Sequence, residues 1–239
     1  MIATKFSILV VPAIALALLT CGIANANLVT NPLFLSYTGL APKNQIQQVS
    51  PTDWTGAAFT YVDAPGTADD PSAPGIPVYP PFPVNSPAGG NFIQADGTPG
   101  LSVAITQTIN GLTNGQNYSL TFYQAGDQEL GGAVGSLENW EVSLGSDTQY
   151  SSVMNVPQGD VVPWQPQTLS FTATSASEVL SFFAIGTPGE PPMVFFSDPD
   201  LEANVPEPSA FLLLAAVGIV IATGRVGRRV LANRMRVPA

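Results

Sequence analysis

Four carboxylates around one tryptophan are the residues of this chain that come closest to a catalytic arrangement. Glu138 and Glu141 flank Trp140, and Asp127 and Glu129 precede them. A glycoside hydrolase needs two carboxyl groups about 5 to 9 Å apart across a sugar. Glu138, however, is predicted in a loop and Glu141 at an outward strand position, where a solvated charge is the usual outcome. We predict no catalytic residues and no enzyme; a secreted carboxylate-dependent glycoside hydrolase is the least favoured alternative.

The composition excludes most other catalytic and metal-binding chemistry. The chain has no His, and its only Cys is Cys21. Ser-His-Asp and Cys-His catalysis need an imidazole, and the usual zinc sites need His or Cys ligands. The aspartates of Asp69-Asp70 and Asp198-Pro199-Asp200 lack EF-hand spacing and are expected to decorate loops. We predict no bound cofactor from these residues.

Aromatic side chains offer a second kind of chemistry, because an exposed ring can stack on the face of a sugar. The candidates are Trp54, Trp140, Trp164, Tyr79 and Phe82. Trp140 lies at an inward position of an alternating segment, which predicts a core residue, and Trp54 follows a turn and is expected to cap the core. Trp164 lies between Pro163 and Pro166, and it is the residue we predict as a glycan contact.

Alternation of apolar and polar residues predicts that strands position these side chains. The alternating segments are Ser102 to Thr106, Tyr118 to Tyr123, Trp140 to Leu144 and Leu169 to Thr174. Val179 to Ile185 is apolar almost throughout, which is typical of a central strand buried on both faces. Met193 to Phe196 is predicted as a last short strand. Helical periodicity is nearly absent, so the sequence predicts an all-β, antiparallel β-sandwich.

Turns and one long loop separate the predicted strands. Asn110 to Gly115 contains two Asn and two Gly, and Pro188 to Pro192 contains three Pro, both typical of turns. The segment from Asp63 to Gly90 is dense in Pro, Gly and Ala. Because proline cannot donate to a sheet ladder, we predict a long surface loop over about 63–90 that cannot join a sheet interior.

The N-terminal residues 1–26 have the features of a secretory signal peptide. Lys5 supplies a positive charge, and an apolar run from Phe6 to Leu19 follows it. Ala24-Asn25-Ala26 then matches a small-x-small cleavage site, which assigns Ala24 and Ala26 to signal-peptide cleavage. The alternative of a membrane-spanning helix needs about 20 apolar residues, and this run is shorter. Thr20 before Cys21 departs from a lipoprotein box.

The C-terminal residues 205–239 begin with Val205-Pro206-Glu207-Pro208-Ser209 and continue as an apolar run. The prolines exclude a helix before Ser209, and Ser209 can cap a helix over 209–224. Its apolar part is near 20 Å long (about 13 to 15 residues), which is short for a permanent membrane span. The sequence predicts a single C-terminal transmembrane helix that acts as a transient anchor; the alternative is a buried core helix.

Charge is segregated along the chain. All 17 acidic residues lie between Asp53 and Glu207, and Lys43 is the only basic residue between Lys5 and Arg225. Five Arg follow the apolar run, where they would stay cytoplasmic and leave the acidic domain outside. A domain with one Lys is a poor partner for nucleic acid, since that binding depends on Lys and Arg at phosphates.

The C-terminal features resemble the PEP-CTERM sorting signal of Gram-negative bacteria. The residues that carry the resemblance are Pro206, Glu207, Pro208, Arg225, Arg228 and Arg229. The resemblance implies processing near Pro206-Glu207-Pro208 by an exosortase, from an inner membrane-anchored precursor. It also implies an exported protein of the cell surface or extracellular matrix, in a family associated with exopolysaccharide and biofilm. The tail beyond Arg229 is longer than is usual in the family.

Residues 27–204 resemble the galactose-binding-like jelly rolls that are common in PEP-CTERM proteins. The resemblance is carried by Asn27 to Asn31, Ile105 to Ile109 with Gly111-Leu112, Gly115 to Phe122, Tyr123 to Ala125, Trp140 to Gly145, Phe171 to Ala173 and Gly186 to Pro188. It implies a jelly-roll-like sandwich, and in such folds often a structural calcium between an early Asn-Gly-x-Phe-Glu turn and a late Asp. Here the turn is Asn31 to Leu35, with Pro32 and Leu35 replacing Gly and Glu. Ser197 takes the place of the Asp and Asp198 comes one residue later, so the calcium site is weakened.

These observations predict a surface protein with three parts: the signal peptide 1–26, a β-sandwich over 27–204 and the sorting signal 205–239. Its expected role is structural or exopolysaccharide-associated. A carbohydrate-binding module with a specific glycan ligand is the alternative. The expected partners are an exosortase, the inner membrane and extracellular polysaccharide.

Overall fold

The computed structural model describes residues 26–187 and 191–204. They belong to a unit that spans Asn25–Asn204 and has its own core. The signal peptide up to Asn25, the Pro-Glu-Pro box, the predicted helix over 209–224 and the Arg-rich tail lie outside the described residues. Within the described part, no helix has the length and hydropathy that a membrane span requires.

Eleven strands and one four-residue helix make up the described part of the chain. In order they are β1 (Asn44–Gln45), α1 (Ile46–Val49), β2 (Thr60–Asp63), β3 (Phe92–Asp96), β4 (Ile105–Asn110), β5 (Asn117–Gln128), β6 (Ser136–Leu144), β7 (Asp147–Tyr150), β8 (Met154–Val156), β9 (Val162–Thr172), β10 (Ser177–Thr187) and β11 (Pro192–Ala203).

The strands form two antiparallel sheets, which confirms the predicted all-β sandwich. Sheet A has the order β1-β2-β3-β11-β5-β9. Sheet B has the order β4-β10-β6-β7, and β8 also pairs with β6. From β3 to β6 the chain changes sheet at every connection, and it does so again from β8 to β11, in the manner of a jelly roll. Successive strands therefore contribute to opposite layers and enclose one core.

The core between the sheets follows the alternation that the sequence shows. Trp140 of β6 is fully buried, and its Nε1 donates to the Phe195 carbonyl at 3.1 Å. Phe182 of β10 stacks on Phe196 of β11 with centroids 4.2 Å apart, and Trp140 packs edge-on against both rings. Truncating such a buried Trp to Ala costs roughly 3–5 kcal/mol. Trp54 is buried beside Phe34, as predicted for a residue that caps the core.

The segment of residues 64–91 crosses the outer face of sheet A; we call it the cover. It contains no strand, as predicted, apart from an isolated bridge between Val78 and Glu129. The prediction of a plain surface loop was incomplete, because the cover buries a second apolar cluster against the sheet. That cluster consists of Ala68, Val78, Phe82, Phe92, Ala125, Met193 and Phe195. Sheet A is thus buried on both faces where the cover lies.

Several predicted strand boundaries were wrong, including those of the strand predicted over Leu169 to Thr174, which begins at Val162 and ends at Thr172. The strand predicted to begin at Ser102 begins at Ile105, and Val103 is exposed outside it. The last strand is much longer than Met193 to Phe196, because β11 continues through a bulge between Ser197 and Asp200. Asp200 therefore lies in this strand rather than in a loop. The turn after β4 is confirmed, with β5 beginning at Asn117.

Candidate functional site

The outer face of sheet B carries the candidate site, and β10 is its centre. The prediction that Val179 to Ile185 is buried on both faces was wrong. Leu180, Phe182 and Ala184 are buried in the core, whereas Val179 is 46% exposed, and Phe183 and Ile185 are half-buried on the outer face. Neither of the two buried apolar clusters in the described residues lies on this face, since one is the core between the sheets and the other lies beneath the cover. Apolar side chains in β10 therefore meet solvent on one side.

The strand register places an aromatic residue at each end of one cross-strand row. Phe183 of β10 pairs with Glu141 of β6, which pairs in turn with Tyr150 of β7. Neighbouring strands lie about 4.8 Å apart, so this row spans roughly 10 Å. The next row along β10 pairs Ile185 with Asn139. The face therefore presents rings, a carboxylate and an amide within reach of one another.

Tyr150 and Glu141 hold each other in place. The Tyr150 hydroxyl donates to Glu141 Oε2 at 2.9 Å, and this hydrogen bond raises the pKa of Tyr150. Tyr150 is 57% exposed, so its ring remains available to a ligand. A hydrogen bond that fixes an exposed ring lowers the entropy lost when a ligand binds to it. Of the two ends of the row, Tyr150 is the more accessible platform.

A line of hydroxyl groups runs beside this row. Thr106, Ser181, Ser143 and Thr148 are aligned across four strands by the register. Thr106 Oγ1 lies 2.6 Å from Thr55 Oγ1, which extends the line to the residue bridged to β4. Hydroxyls both donate and accept hydrogen bonds. Rings and aliphatic groups beside such a line match the alternating apolar and hydroxyl surfaces of a sugar chain.

The carboxylates considered for catalysis do not meet at this face. Glu141 points outward, as predicted, but Glu138 is fully buried in β6 rather than solvated in a loop. Ser136 Oγ donates to Glu138 Oε1 at 2.6 Å, and burial raises the pKa of Glu138 well above its usual value. The strand places Glu138 on the inward side, because it lies an odd number of residues from Glu141.

Asp127 is separate from both Glu141 and Glu138, since it lies on the outer face of sheet A beneath the cover. Its Oδ1 accepts the backbone N–H groups of Tyr79 at 3.3 Å and Gln128 at 2.7 Å. Burial is the main reason that the pKa of Asp127 rises to about 8. Glu138, by contrast, contacts the inner face of β5, where a Cβ added at Gly126 would lie 2.7 Å from its Oε2. Asp127, Glu138 and Glu141 therefore face three different environments.

Trp164, the predicted glycan contact, lies away from the sheet B face. It is half-buried in β9 and packs edge-on against Phe82, Phe92 and Phe195, with centroid separations of 5.9, 5.4 and 6.5 Å. Phe82 is buried, and the Tyr79 hydroxyl donates to the Gly132 carbonyl at 2.8 Å. These three aromatic residues from the sequence candidates thus belong to the cover and its contacts.

Phe183 and Tyr150 were missed in the sequence. The signal for Phe183 was present in Phe182-Phe183, since adjacent strand residues face opposite ways, so one Phe of the pair must leave the core unless the outer face is covered. Tyr150 is the last residue of β7 (Asp147 to Tyr150), a mostly polar strand that has no apolar pattern to predict it. Recognising either residue requires knowing which outer face is free.

The residues of the weakened calcium site lie in the early turn and in β11. Asn31 Oδ1 accepts the Ser36 N–H at 3.0 Å, so its side chain closes its own turn. Phe34 and Ser197 are fully buried, and Asp198 has a positive φ of 52°. In residues 26–187 and 191–204, no group of three or more His, Cys, Asp or Glu is placed to hold a metal ion.

Comparisons with known proteins give fold similarity only. No protein-family model and no curated protein matches the chain. Similar solved structures include TmCBM61 in complex with β-1,4-galactotriose, with 11% identity over 74% of this chain and 99% of that chain, and a TM-score of 0.45. The arabinose-bound MgGH51 α-L-arabinofuranosidase has 16% identity over 77% of this chain and 27% of that chain, with a TM-score of 0.44.

A third similar structure is the CBM22-1 xylan-binding domain from Paenibacillus barcinonensis Xyn10C. It has 13% identity over 75% of this chain and 97% of that chain, with a TM-score of 0.38. Similarity at this level does not identify a ligand for the present chain.

Proposed function

We propose that this protein is a non-enzymatic, exported β-sandwich that binds a polysaccharide chain on the outer face of sheet B. The observation that carries the proposal is the row Phe183–Glu141–Tyr150, in which Tyr150 is exposed and Phe183 and Glu141 are half-buried, with a line of hydroxyls beside it. The Tyr150 ring stacks on one sugar face. Glu141 and Asn139 accept and donate hydrogen bonds to ring hydroxyls, and Phe183 supports the neighbouring sugar.

The electrostatics of the domain favour a neutral polysaccharide. Glu141 is the only charge in the row, and the formal net charge of the whole chain is −10. A uronic-acid or sulfated polymer would be repelled by both. The site is an open face rather than a deep pocket, so we expect weak binding, with a Kd of about 10 μM to 1 mM.

We further propose that the chain reaches the cell surface or extracellular matrix of a Gram-negative bacterium through its two ends. The support is the sequence pattern: the signal peptide 1–26, the Pro206-Glu207-Pro208 box, the apolar run and the Arg-rich tail. An exosortase would process the inner membrane-anchored precursor. A matrix protein that holds exopolysaccharide needs both export and a glycan-binding face, so the two proposals support the same role.

Binding to a panel of immobilised neutral polysaccharides tests the glycan proposal. Tyr150→Ala and Phe183→Ala should each weaken retention of the isolated 27–204 domain by roughly tenfold or more, which corresponds to the loss of about 1.4 kcal/mol of binding free energy. Tyr37→Ala, which removes another exposed tyrosine, is the matched control. If the wild type and the three variants are retained equally, the outer face of sheet B does not bind the polysaccharide.

Replacing Pro206, Glu207 and Pro208 with Ala tests the sorting proposal in cells. We expect full-length, unprocessed protein to accumulate in the inner membrane, as measured by fractionation and immunoblotting. Replacing Val237-Pro238-Ala239 with Ala residues is a matched control, because it leaves the box and the proposed helix unchanged. Normal release of the box variant would contradict exosortase processing.

A further inference from the structure

A polar cavity of about 370 Å³ lies on the side of the sandwich that carries the cover. Asn44 and Gln45 of β1, Gln48 of α1 and Tyr61 of β2 line one wall. Pro74–Ile76 of the cover lines the other. The volume falls at the lower end of the range of roughly 300–1,000 Å³ that small-molecule sites occupy, but the pocket is more open and more polar than most such sites.

The lining is polar and carries no formal charge. Asn44 Nδ2 donates to the Ala41 carbonyl at 2.7 Å, which orients the amide and leaves Oδ1 as an acceptor. Burial raises the pKa of Tyr61, with the Gln45 side chain as its hydrogen-bonding neighbour. The Tyr61 hydroxyl is therefore protonated at neutral pH. Amides and a phenol supply donors and acceptors together, the combination that sugar hydroxyls require.

Two charged groups near the cavity pair with each other, while Asp96 and Glu129 also raise the pKa of Tyr61 through their charge. Lys43 and Asp63 are both buried, and their Nζ and Oδ1 atoms lie 3.6 Å apart. Lys43 Nζ also donates to the Ile76 carbonyl at 3.4 Å, so it holds one wall of the cavity in place. A ligand in the cavity would thus meet fixed, uncharged polar groups and the apolar side chains of Pro74 and Ile76.

We propose that this cavity binds a single neutral sugar, such as a chain end or a side branch, and makes the domain bivalent. The bivalency in this inference rests on the proposed function, because it requires a polysaccharide bound at the outer face of sheet B. The two sites lie on the outer faces of opposite sheets, so one chain segment cannot occupy both by lying flat. Simultaneous engagement of two polysaccharide chains would raise avidity and link them.

The experiment compares the purified full-length protein in detergent with three variants. Two kinds of probe are used. Binding of galactose, glucose, mannose, xylose and arabinose at millimolar concentration is measured by saturation-transfer NMR. Binding of a polysaccharide is measured as retention of the protein on an insoluble neutral polysaccharide. The pocket variant is Gln45→Ala with Gln48→Ala. Gln47→Ala is its matched control, because Gln47 lies on the same helix and is exposed, but does not line the cavity. Tyr150→Ala is the sheet B variant.

The expected result is binding of at least one monosaccharide that weakens tenfold or more in the pocket variant and is unchanged in Gln47→Ala and Tyr150→Ala. Retention on the polysaccharide, by contrast, should weaken in Tyr150→Ala. Monosaccharide binding that is unaffected in the pocket variant would overturn the inference, as would retention of polysaccharide with no monosaccharide bound. In both of those cases the sheet B site survives if Tyr150→Ala abolishes retention.

Discussion

The two outer faces of the sandwich are built by strands of one fold but meet different surroundings. The outer face of sheet A lies beneath the cover and includes buried ionisable side chains, among them Asp63 and Asp127. The outer face of sheet B presents Tyr150, Val179 and Phe183 to solvent, with Glu141 as its charge. Similar strand patterns therefore produce a buried face or a solvent-exposed face according to what lies over them.

The cover is held by polar contacts as much as by apolar burial. Lys43 Nζ donates to the Ala68 carbonyl at 3.1 Å and to Gln94 Oε1 at 3.3 Å, and it pairs with Asp63. Burial lowers the pKa of Lys43 and raises that of Asp63 to about 6, even though each charge opposes the shift of the other. The only Lys of residues 27–204 is therefore a buried clamp for the cover, not a surface charge.

The largest expected effect is loss of this clamp. Lys43→Ala should lower the free energy of unfolding by roughly 3–5 kcal/mol, because it leaves Asp63 buried and unpaired. Urea unfolding measures the loss. The double variant Lys43→Met with Asp63→Leu should recover much of the stability, since it removes both charges together. A loss below 1 kcal/mol for Lys43→Ala would show that the cover does not depend on the pair.

The second test separates packing from binding. Trp164→Ala should destabilise the domain by roughly 2–4 kcal/mol, because the ring packs on three Phe side chains, and should leave polysaccharide retention unchanged. Phe183→Ala should cost less stability, about 1 kcal/mol, and should weaken retention. Thermal unfolding and polysaccharide retention are measured on both variants. If Trp164→Ala weakened retention and Phe183→Ala did not, Trp164 would be the glycan contact.

A third test concerns the pH dependence of stability. The pKa of Asp127 is raised to about 8 from 3.8, so its contribution to stability is full below about pH 4 and is lost as the pH rises through 8. Asp127→Asn cannot ionise and keeps an oxygen for the N–H groups of Tyr79 and Gln128. It should match the wild type at pH 4 and be more stable than the wild type at pH 8, with a difference that opens as the pH rises between these values.

Paired melting curves across this pH range measure the Asp127 effect. Glu141→Gln, on the exposed face of sheet B, is the matched control and should show no comparable divergence. Parallel pH profiles for Asp127→Asn and the wild type would contradict a buried, largely protonated Asp127 and weaken the contrast between the two faces.

Much of the fold could be predicted because the alternation of apolar and polar residues along a strand shows which side chains face the core and which face outward. Trp140 was predicted inward and Glu141 outward from that pattern alone, and both are confirmed. The pattern was misread at β10, where apolar residues on both sides suggested two buried faces. Glu138 was predicted as a solvated charge in a loop, but it lies buried at an inward position of β6.

The candidate site was less predictable than the fold. Trp164 was chosen because prolines flank it, and prolines do favour exposed edges, but three Phe rings pack on it: one from the cover, one from β3 and one from β11. Tyr150 and Phe183 come from strands that are close only through pairing with β6. No local spacing relates residues 33 positions apart, so the row exists only once the sheet has formed.

The sequence by itself determined the strand class, the inward side of each alternating strand and the exclusion of imidazole and thiolate chemistry. Those properties depend on residue type and on the two-residue period of a strand, which are local. The tertiary structure decided which outer face is covered, that Lys43 is buried and which aromatic rings remain free. Those properties depend on where a distant segment lies, and a side chain is buried or exposed only with respect to what packs against it.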